Sequence, residues 1–289
     1  MIAWVSGIYD EPELYELACA YRDIPAEVTA LQAWCAAHHA GTVSSVLELA
    51  AGPAEHAREL ARRGVRATAL DRSPAMCGYA AAQAKSAGVA LDVVEGDMRD
   101  FLIAGPGGSP LLFDLAVTML NSVCHLFTLD DLVRHLAAVR AQLAPGGLYS
   151  AELAHPADFF AAEPRTSNQW VVDADGARAD VHWGGKGDGI DPLTQVTREH
   201  MTITATAEDG TIRTVSDVVP NRFWTLTEFT AAIALANAVL ADTGPADTGL
   251  AGTGGFELVA TYGDFDAATP LDAPTAWRMI LILQAAGTG

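Results

Sequence analysis

Short apolar runs alternate with longer segments of helical spacing between residues 46 and 153. The apolar runs are rich in Val, Leu and Ala, which is typical of buried strands, whereas the intervening segments mix alanine and leucine with charged residues. The pattern predicts strands at residues 46–49, 65–71, 91–97, 113–120 and 148–153, and helices at residues 53–63, 74–88 and 128–144. Strands joined by helical crossovers predict a doubly wound, largely parallel α/β sheet.

A different pattern follows the fifth strand. Residues 201–206 alternate threonine with Met, Ile and Ala, and residues 207–210 (Ala-Glu-Asp-Gly) are typical of a hairpin turn. We therefore expect an inserted antiparallel sheet at residues 155–222. Because it follows a parallel strand, we expect it at the carboxyl edge of the main sheet, where it can wall a pocket or pair with another subunit.

Residues 223–289 return to the pattern of the core. Thr225 and Glu228 have the spacing of a capping box before a helix that runs toward Leu240. Residues 241–255 repeat Asp-Thr-Gly and Gly-Thr-Gly, so we expect a flexible loop there. Two further strands are predicted at residues 256–262 and 277–283.

The segment before the first strand has the pattern of an amphipathic helix. Helical spacing from Pro12 places four side chains on one stripe: Leu14, Leu17, Ala18 and Tyr21. We expect this stripe to pack on the α/β domain.

Composition and charge disfavour several classes of function. The 289 residues, 50% of them hydrophobic, suffice for one α/β core with additions. The net charge of −19 disfavours binding to nucleic acid or to acidic membrane surfaces. Cys19, Cys35, Cys77 and Cys124 lack metal-site or disulfide spacing, so we expect reduced thiols and no metal. With no leader pattern and no apolar run near roughly 18 residues, we expect a soluble cytoplasmic protein.

The turn after the first strand has the properties of a nucleoside cofactor site. Residues 50–52 (Ala-Ala-Gly) carry nothing larger than a methyl group, so a ligand can approach the backbone, and Pro53 is expected to open the following helix. Asp71 ends the next strand, where its carboxylate can accept two hydrogen bonds from a ribose diol. The alternative role for Asp71 is a cap at Ser73.

Phosphate is an unfavourable ligand for this turn. A dinucleotide site requires G-x-G-x-x-G, whereas Gly52 is the one glycine between residues 46 and 55. Glu48 and Glu55 also flank the turn and would repel a phosphate. S-adenosylmethionine, which has ribose, adenine and a positive charge but no phosphate, suits the turn. The missing glycines disfavour a nicotinamide oxidoreductase, and an ordinary βα turn is the alternative without a ligand.

Five segments, in this order, resemble the motifs of class I S-adenosylmethionine-dependent methyltransferases. They are residues 47–53, 69–71, 95–98, 113–121 and 143–147. The chain departs from the family pattern at Ala50 and at Ala54-Glu55, where the family often has further glycines. The resemblance implies a Rossmann-like, seven-stranded sheet that is mostly parallel with an antiparallel last strand. It also implies a helical lid at residues 1–40 and a cofactor-binding core at residues 41–154 and 223–289.

The resemblance implies roles for single residues at the cofactor. Glu48 would face the ammonium group, Asp97 would accept from the adenine amino group, and the Met119 carbonyl would lie near the sulfonium. The alternative role for Asp97 is a helix cap after the third strand. The cofactor-binding residues so predicted are Tyr9, Tyr15, Arg22, Glu48, Ala50, Gly52, Asp71, Arg72, Met76, Asp97, Met98 and Met119.

The N-terminal segment is similar to the lid of small-molecule methyltransferases. This similarity makes Tyr9, Tyr15 and Arg22 candidates for contact with the cofactor carboxylate or the substrate. The alternative is a packing helix whose tyrosines only place hydroxyls at the surface.

Methyl transfer requires a base only where the acceptor arrives protonated, because alignment of nucleophile, methyl and sulfur provides much of the acceleration. His125 is the best-placed candidate, with an unperturbed pKa of about 6.5. Glu152 and His155 are weaker candidates, and the alternative for His125 is a hydrogen bond to backbone. The predicted substrate-binding residues are Asn121, His125, Trp170, Arg222 and Phe223.

The sequence therefore predicts an S-adenosylmethionine-dependent methyltransferase that acts on oxygen or nitrogen of a small molecule, such as a secondary metabolite or a modified peptide. The alternative is a protein of the same fold that binds the cofactor for a non-methylating reaction or for structure. The exposed edge of the inserted sheet is compatible with a homodimer.

Overall fold

The computed structural model describes residues 7–39, 41–160, 168–185, 187–242 and 254–286. Its helices are α1 (Pro12–Cys19), α2 (Ile24–His38), α3 (Glu55–Arg62), α4 (Pro74–Ser86), α5 (Leu129–Ala141) and α6 (Leu226–Asp242). Its strands are β1 (Ser45–Leu49), β2 (Arg66–Asp71), β3 (Leu91–Glu95), β4 (Phe113–Thr118), β5 (Leu143–Ala154), β6 (Asn168–Ala174), β7 (Ala177–Trp183), β8 (Val196–Ala207), β9 (Ile212–Arg222), β10 (Phe256–Tyr262) and β11 (Arg278–Ala285).

The main sheet has seven strands in the order β10-β11-β5-β4-β1-β2-β3. Strands β1 to β5 run parallel, whereas β11 is antiparallel to both β10 and β5. The strand order reverses between β1 and β4, so the switch point at which α/β sheets bind ligands lies at the carboxyl ends of these two strands. The predicted fold class, with its antiparallel last strand, is confirmed.

Helices cover both faces of the main sheet. On one face, Leu136 of α5 and Phe229 of α6 are fully buried in a single apolar cluster. On the other face, Leu31 of α2 and Leu60 of α3 are buried in a second cluster. Because both faces are closed in this way, the carboxyl edge of the sheet is the place left for a ligand.

The inserted segment forms a second, antiparallel sheet in the order β6-β7-β8-β9. The alternation predicted for residues 201–206 is confirmed, since Met201 and Ile203 are buried and the threonines between them are not. The buried face packs against α1, where Leu14 and Ala18 belong to the same apolar cluster. Helix α1 therefore covers the buried face of the second sheet, while β9 contacts the segment after β4 directly, through Arg222 and the Phe127 carbonyl.

Three sequence expectations about element ends are wrong. Helix α3 begins at Glu55 and not at Pro53, because Ala54 has a left-handed φ of 57° that no helix continues. Helix α5 ends at Ala141 and not at residue 144, and β5 begins at Leu143 and not at residue 148. The chain can pass close to β4 here because Gly147 has no side chain: a Cβ at this position would lie 3.1 Å from the Phe113 carbonyl oxygen.

The third correction concerns the N-terminal stripe. Helix α1 ends at Cys19, so Tyr21 lies beyond it and is 49% exposed instead of buried.

Within the described residues, no helix has the length and apolar composition of a membrane-spanning segment. The four cysteines are free thiols. The loop predicted at residues 241–255 lies largely outside the described residues.

A buried ion cluster joins α2 to the main sheet. It consists of three carboxylates and three cationic side chains: Glu27, Glu48, Glu152, Arg22, His56 and Arg278. The Arg22 Nη2 atom lies 2.6 Å from Glu27 and 2.8 Å from Glu152, and His56 Nε2 lies 2.8 Å from Glu27. Buried charges are tolerated only when paired in this way.

The cluster holds His56 as a cation. Burial opposes protonation of His56, but its contacts with Glu27 and Glu48 outweigh burial and raise its pKa to about 9. For Glu27, burial is likewise outweighed by hydrogen bonds from His56 and Arg22, and the pKa falls to about 2. Glu27 and His56 are therefore both charged at neutral pH.

The charge on His56 predicts a loss of stability in mild alkali. Because the pKa of His56 is higher in the folded chain than the usual value of about 6.5, its stabilisation is complete below that pH. It is lost as pH rises through about 9. We expect the free energy of unfolding, measured with urea, to fall over this window, and His56→Gln to flatten the fall. The control His182→Gln, at an exposed histidine, should show the same fall in the free energy of unfolding as wild type. A fall in His56→Gln as large as that of wild type would contradict the prediction.

Candidate active site

A cavity of about 650 Å³ lies at the carboxyl edge of the main sheet. The turns after β1 to β4 and the end of β5 form its floor, at residues 50–52, 71–74, 96–99, 120–126 and 154. The N-terminal segment and the second sheet form its other walls, through Tyr9, Tyr15, Trp183 and Asn221 among others. The cavity thus lies at the switch point of the sheet.

The turn after β1 approaches the cavity through its backbone. Ala50, Gly52 and Ala54 have φ values of 48°, 52° and 57°, the left-handed conformation that favours glycine. A Cβ at Gly52 would have no atom nearer than 3.9 Å, so the φ angle and not the available space favours glycine there. Two alanines therefore adopt a glycine-like conformation.

Asp71 holds this turn against the end of β2. Its Oδ2 accepts from the Gly52 backbone N–H (2.7 Å), and its Oδ1 accepts from the Ser73 backbone N–H (2.8 Å). Burial raises the pKa of the Asp71 carboxyl. Since each carboxylate oxygen has two lone pairs, both can still accept a hydroxyl from a ligand in the cavity.

A second carboxylate lies after β3. Asp97 pairs with Arg99 (Nε to Oδ1 3.0 Å), and this hydrogen bond lowers the pKa of Asp97. Met98, which is buried, lines the cavity beside it. The pair provides an ionised acceptor next to an apolar thioether, which can pack on an aromatic ring.

A tyrosine and a histidine meet across the cavity. The Tyr9 hydroxyl lies 3.0 Å from His125 Nε2, and the His125 ring also bonds the Pro220 backbone. Pro220 has no N–H, so its carbonyl is the acceptor in that contact. Burial, helped by the Arg72 charge, lowers the pKa of His125 to about 4. His125 is therefore neutral at pH 7.

The N-terminal segment is tied across the cavity at both ends. The Tyr9 carbonyl accepts from the Ser73 hydroxyl (3.1 Å) on the main sheet, and the Ile8 N–H donates to Asp217 (3.1 Å) on the second sheet. The Trp170 indole N–H also donates to the Ala18 carbonyl (2.8 Å). The segment thus covers the cavity from one sheet to the other.

Solved methyltransferase structures have the same fold. An S-adenosylmethionine-dependent methyltransferase from Clostridium acetobutylicum aligns with a TM-score of 0.71 and 15% identity over 94% of this chain and 96% of its own. An amino pentose methyltransferase from Micromonospora echinaspora aligns with a TM-score of 0.65 and 20% identity over 93% and 96%. A sugar N-methyltransferase from Streptoalloteichus aligns with a TM-score of 0.64 and 20% identity over 94% and 92%. Among curated proteins, none matches the sequence.

Residues 46–147 match the family model described as a methyltransferase domain. This chain carries a methyltransferase domain. The matched residues supply the turns after β1 to β4, which form most of the cavity floor. The predicted resemblance to class I S-adenosylmethionine-dependent methyltransferases and the predicted enzyme class are thereby confirmed for this part of the chain.

Most predicted site residues line the methyltransferase cavity. They are Tyr9, Tyr15, Ala50, Gly52, Asp71, Arg72, Met76, Asp97, Met98, Asn121, His125, Trp170 and Phe223. Asn121 also joins two strand ends, because its Oδ1 accepts from the Ala154 backbone N–H (3.1 Å). The contacts of these residues with cofactor or substrate stay predictions.

Five predicted residues do not line the cavity. Glu48, Arg22 and Glu152 belong to the buried ion cluster beneath it. The Met119 carbonyl accepts from the Ser122 N–H and hydroxyl, and Arg222 stacks on Trp224 and donates to the Phe127 carbonyl (2.8 Å). Nor does His155 line it: Nε2 bonds the Leu271 carbonyl oxygen and Nδ1 accepts from the Ala157 N–H.

The methyltransferase cavity also contains groups that sequence reasoning missed. Glu199 of β8 and Asp217 of β9 bring carboxylates from the second sheet, and Trp183 adds an indole. The sequence contains a signal that could have pointed to Glu199. Glu199 precedes Met201 by two positions and therefore lies on the buried face of β8, where a charged residue is unusual. No group of three or more metal-ligating side chains occurs among the residues that the structure describes.

Ala50 provides a test of the strained turn. The left-handed conformation of an alanine destabilises the folded state by about 1–2 kcal/mol, and Ala50→Gly removes this strain. The same substitution stabilises the unfolded state by about 0.5–1 kcal/mol of conformational entropy and removes part of the burial of a methyl group, worth about 0.8 kcal/mol. We therefore expect Ala50→Gly to change the free energy of unfolding by less than about 0.5 kcal/mol in urea titrations. In the exposed control Ala82→Gly, in the middle of α4, we expect a loss of about 1 kcal/mol. An equal loss in both variants would contradict the strain.

Proposed function

We propose that this methyltransferase transfers the methyl group of S-adenosylmethionine to an amine nitrogen of a small polar molecule, such as an amino sugar. The class I fold and the methyltransferase domain support the donor. The acceptor is supported by two similar structures, described as an amino pentose methyltransferase and a sugar N-methyltransferase. The observation that carries the proposal is the set of carboxylates at the far end of the cavity.

The residues on the sheet side fit S-adenosylmethionine. The turn at residues 50–52 brings backbone without bulky side chains, Asp71 offers acceptors for ribose hydroxyls, and Asp97 with Met98 offers an acceptor and an apolar face for adenine. Asp71 and Asp97 place two carboxylates in this part of the cavity, which disfavours a phosphate. When bound, S-adenosylmethionine supplies a methyl group already activated by its sulfonium.

The other end of the cavity fits a cationic acceptor. Glu199, Asp217 and Asp158 line the cavity, whose arginines are Arg72 and Arg99, and Arg99 is paired with Asp97. An ammonium group is attracted by this charge, and exclusion from bulk water strengthens the attraction. Phe159 and Phe223 stack with ring centroids 3.4 Å apart and wall the same space. Aromatic faces suit the C–H faces of a sugar or another ring.

The chain itself contributes alignment and enclosure. The segment tied between Ser73 and Asp217 covers the cavity, which holds the acceptor near the donor and keeps water out. The neutral His125 with its Tyr9 partner presents a polar but uncharged wall. This enclosure also requires the segment at Gly7–Asp10 to open for exchange of product.

Three further expectations belong to this proposal. We propose action in the cytoplasm, on a small molecule and not on nucleic acid. We propose that residues 1–40 act as a lid, residues 41–154 and 223–289 as the cofactor core, and residues 155–222 as the acceptor and pairing unit. Among the strands that the structure describes, β6 and β9 are the edges of the second sheet, and these edges support a homodimer.

The acceptor is tested by following labelled methyl. We expect wild-type protein with methyl-labelled S-adenosylmethionine to label amines in a panel of 2-, 3- and 4-amino hexoses. The hexoses that carry a hydroxyl at the same carbon should stay unlabelled, because an uncharged group is not attracted by the carboxylates. Mass spectrometry locates the label. Transfer to the hydroxyl sugars alone, or no transfer, would contradict the proposal.

The donor site is tested by binding. Asp71→Ala removes the acceptor for the ribose hydroxyls, so we expect it to weaken binding of S-adenosylhomocysteine at least about tenfold, or about 1.4 kcal/mol. Isothermal calorimetry measures the affinity, and thermal unfolding shows whether the turn survives. The matched control is Asp92→Ala, an exposed carboxylate on β3 that does not line the cavity. Absence of heat with the wild-type protein would overturn the donor assignment.

A further inference from the structure

Glu199 reaches the acceptor end of the cavity from the buried face of β8. It is 7% exposed, and its Oε2 accepts from the Asn221 amide (2.6 Å) and from the Trp183 indole N–H (3.0 Å). These donors come from β9 and β7, the two neighbours of β8, so the carboxylate is fixed from both sides. A buried carboxylate held in this way is unusual on the apolar face of a sheet.

The other oxygen of Glu199 is available to a ligand. Among the described residues, no donor lies within hydrogen-bond distance of Oε1, and the side chain lines the cavity. A buried charge without a full set of partners costs stability, so such an oxygen is expected to serve a bound group. A cationic donor would satisfy it.

The histidine in the same cavity is a poorer proton acceptor. His125 Nε2 already lies 3.0 Å from the Tyr9 hydroxyl, and its pKa of about 4 disfavours the cation. Glu199 differs in both respects: one oxygen is open to the cavity, and burial raises its pKa to about 7 despite the hydrogen bonds from Asn221 and Trp183. A proton acceptor is most effective when its pKa lies near the working pH.

We propose that Glu199 binds the acceptor as its ammonium ion through Oε1 and takes the proton that makes the nitrogen nucleophilic. This inference rests on the proposed function. One N–H bond of the ammonium breaks, its electron pair stays on nitrogen, and the proton forms an O–H bond on Glu199. The nitrogen then uses that pair to bond the methyl carbon while the carbon–sulfur bond breaks, its electron pair staying on sulfur. The methylated product leaves as an ammonium ion, and Glu199 returns its proton to solvent.

Tyr15, Cys124 and Asp188 do not take the proton in place of Glu199. The nearby titratable side chains are Tyr15 of α1, Cys124, His125, Asp188 and Asp217. Burial raises the pKa of Tyr15 and of Cys124 well above their usual values, so both stay protonated. For Asp188, burial is outweighed by hydrogen bonds from His200 that lower its pKa, and the resulting anion pushes the pKa of Glu199 upward.

The test is Glu199→Gln, read as a pH profile with the amino hexose that wild-type protein labels best. Glutamine keeps an oxygen for Trp183 and Asn221 but cannot take a proton. In wild type, we expect kcat/KM to rise with pH through about 7. In Glu199→Gln we expect the rate at pH 7 to fall about 100-fold or more. The rising limb should also move up to the pKa of the free amine, because only amine that is already neutral can react.

Binding provides a second readout that does not depend on turnover. With S-adenosylhomocysteine present, we expect Glu199→Gln to weaken the amino hexose at least about tenfold at pH 7 in calorimetry, because one partner of the ion pair is lost. Affinity for S-adenosylhomocysteine and the thermal midpoint should stay as in wild type, which separates this role from a folding defect.

Glu55→Gln is the matched control. Burial also raises the pKa of Glu55 to about 7, but this side chain lies outside the cavity, so its variant should keep the rising limb. A rising limb that stays near pH 7 in Glu199→Gln, or a rate that falls equally at every pH, would overturn the assignment of Glu199 alone. Failure of wild-type protein to label any amine would overturn the proposed function and this inference together.

Discussion

The buried ion cluster is the constraint on which the cofactor side of the site depends. Two of its carboxylates hold the turns at the switch point from below: Glu48 accepts from the Ala57 N–H (2.7 Å) near the start of α3, and Glu152 accepts from the Leu120 N–H (2.8 Å) after β4. Each is in turn paired with cations from other elements, Glu48 with His56 and Glu152 with Arg22. Because an unpaired buried charge costs several kcal/mol, loss of one partner in these pairs would destabilise the contact between the elements that they join.

The turn that this cluster supports has a backbone more unusual than its sequence. Ala50 and Ala54 adopt the left-handed conformation that favours glycine. The hydrogen bond from the Gly52 N–H to Asp71 fixes the middle of the turn. Strain of this kind persists only where the surrounding structure over-determines the conformation. Here the hydrogen bonds accepted by Asp71 and Glu48 supply that constraint.

The hydrophobic pattern of the sequence predicts those features of the fold that depend on residues close together in the chain. The strands and the positions of Asp71 and Asp97 at strand ends follow from periodicity and from the parallel topology, and all of these could be read from the sequence. Glu48 could not be placed in that way, because its partner His56 is joined to Glu27 of a helix that precedes β1, a contact that no short-range spacing shows. Glu199 differs from Glu48, because its place on the buried face of β8 follows from the two-residue periodicity of the strand. Periodicity alone gives no role to a carboxylate on that face.

The proposed donor and acceptor ends of the cavity come from different parts of the chain. The proposed donor end is formed by backbone turns of the main sheet, which are constrained by the ion cluster. The proposed acceptor end is formed by side chains of β7, β8 and β9, whose backbone hydrogen bonds do not depend on which side chains point into the cavity. Tyr9 lies between them, with its carbonyl tied to Ser73 and its hydroxyl to His125. The identity of the acceptor can therefore change through residues such as Glu199 while the geometry around the donor is preserved.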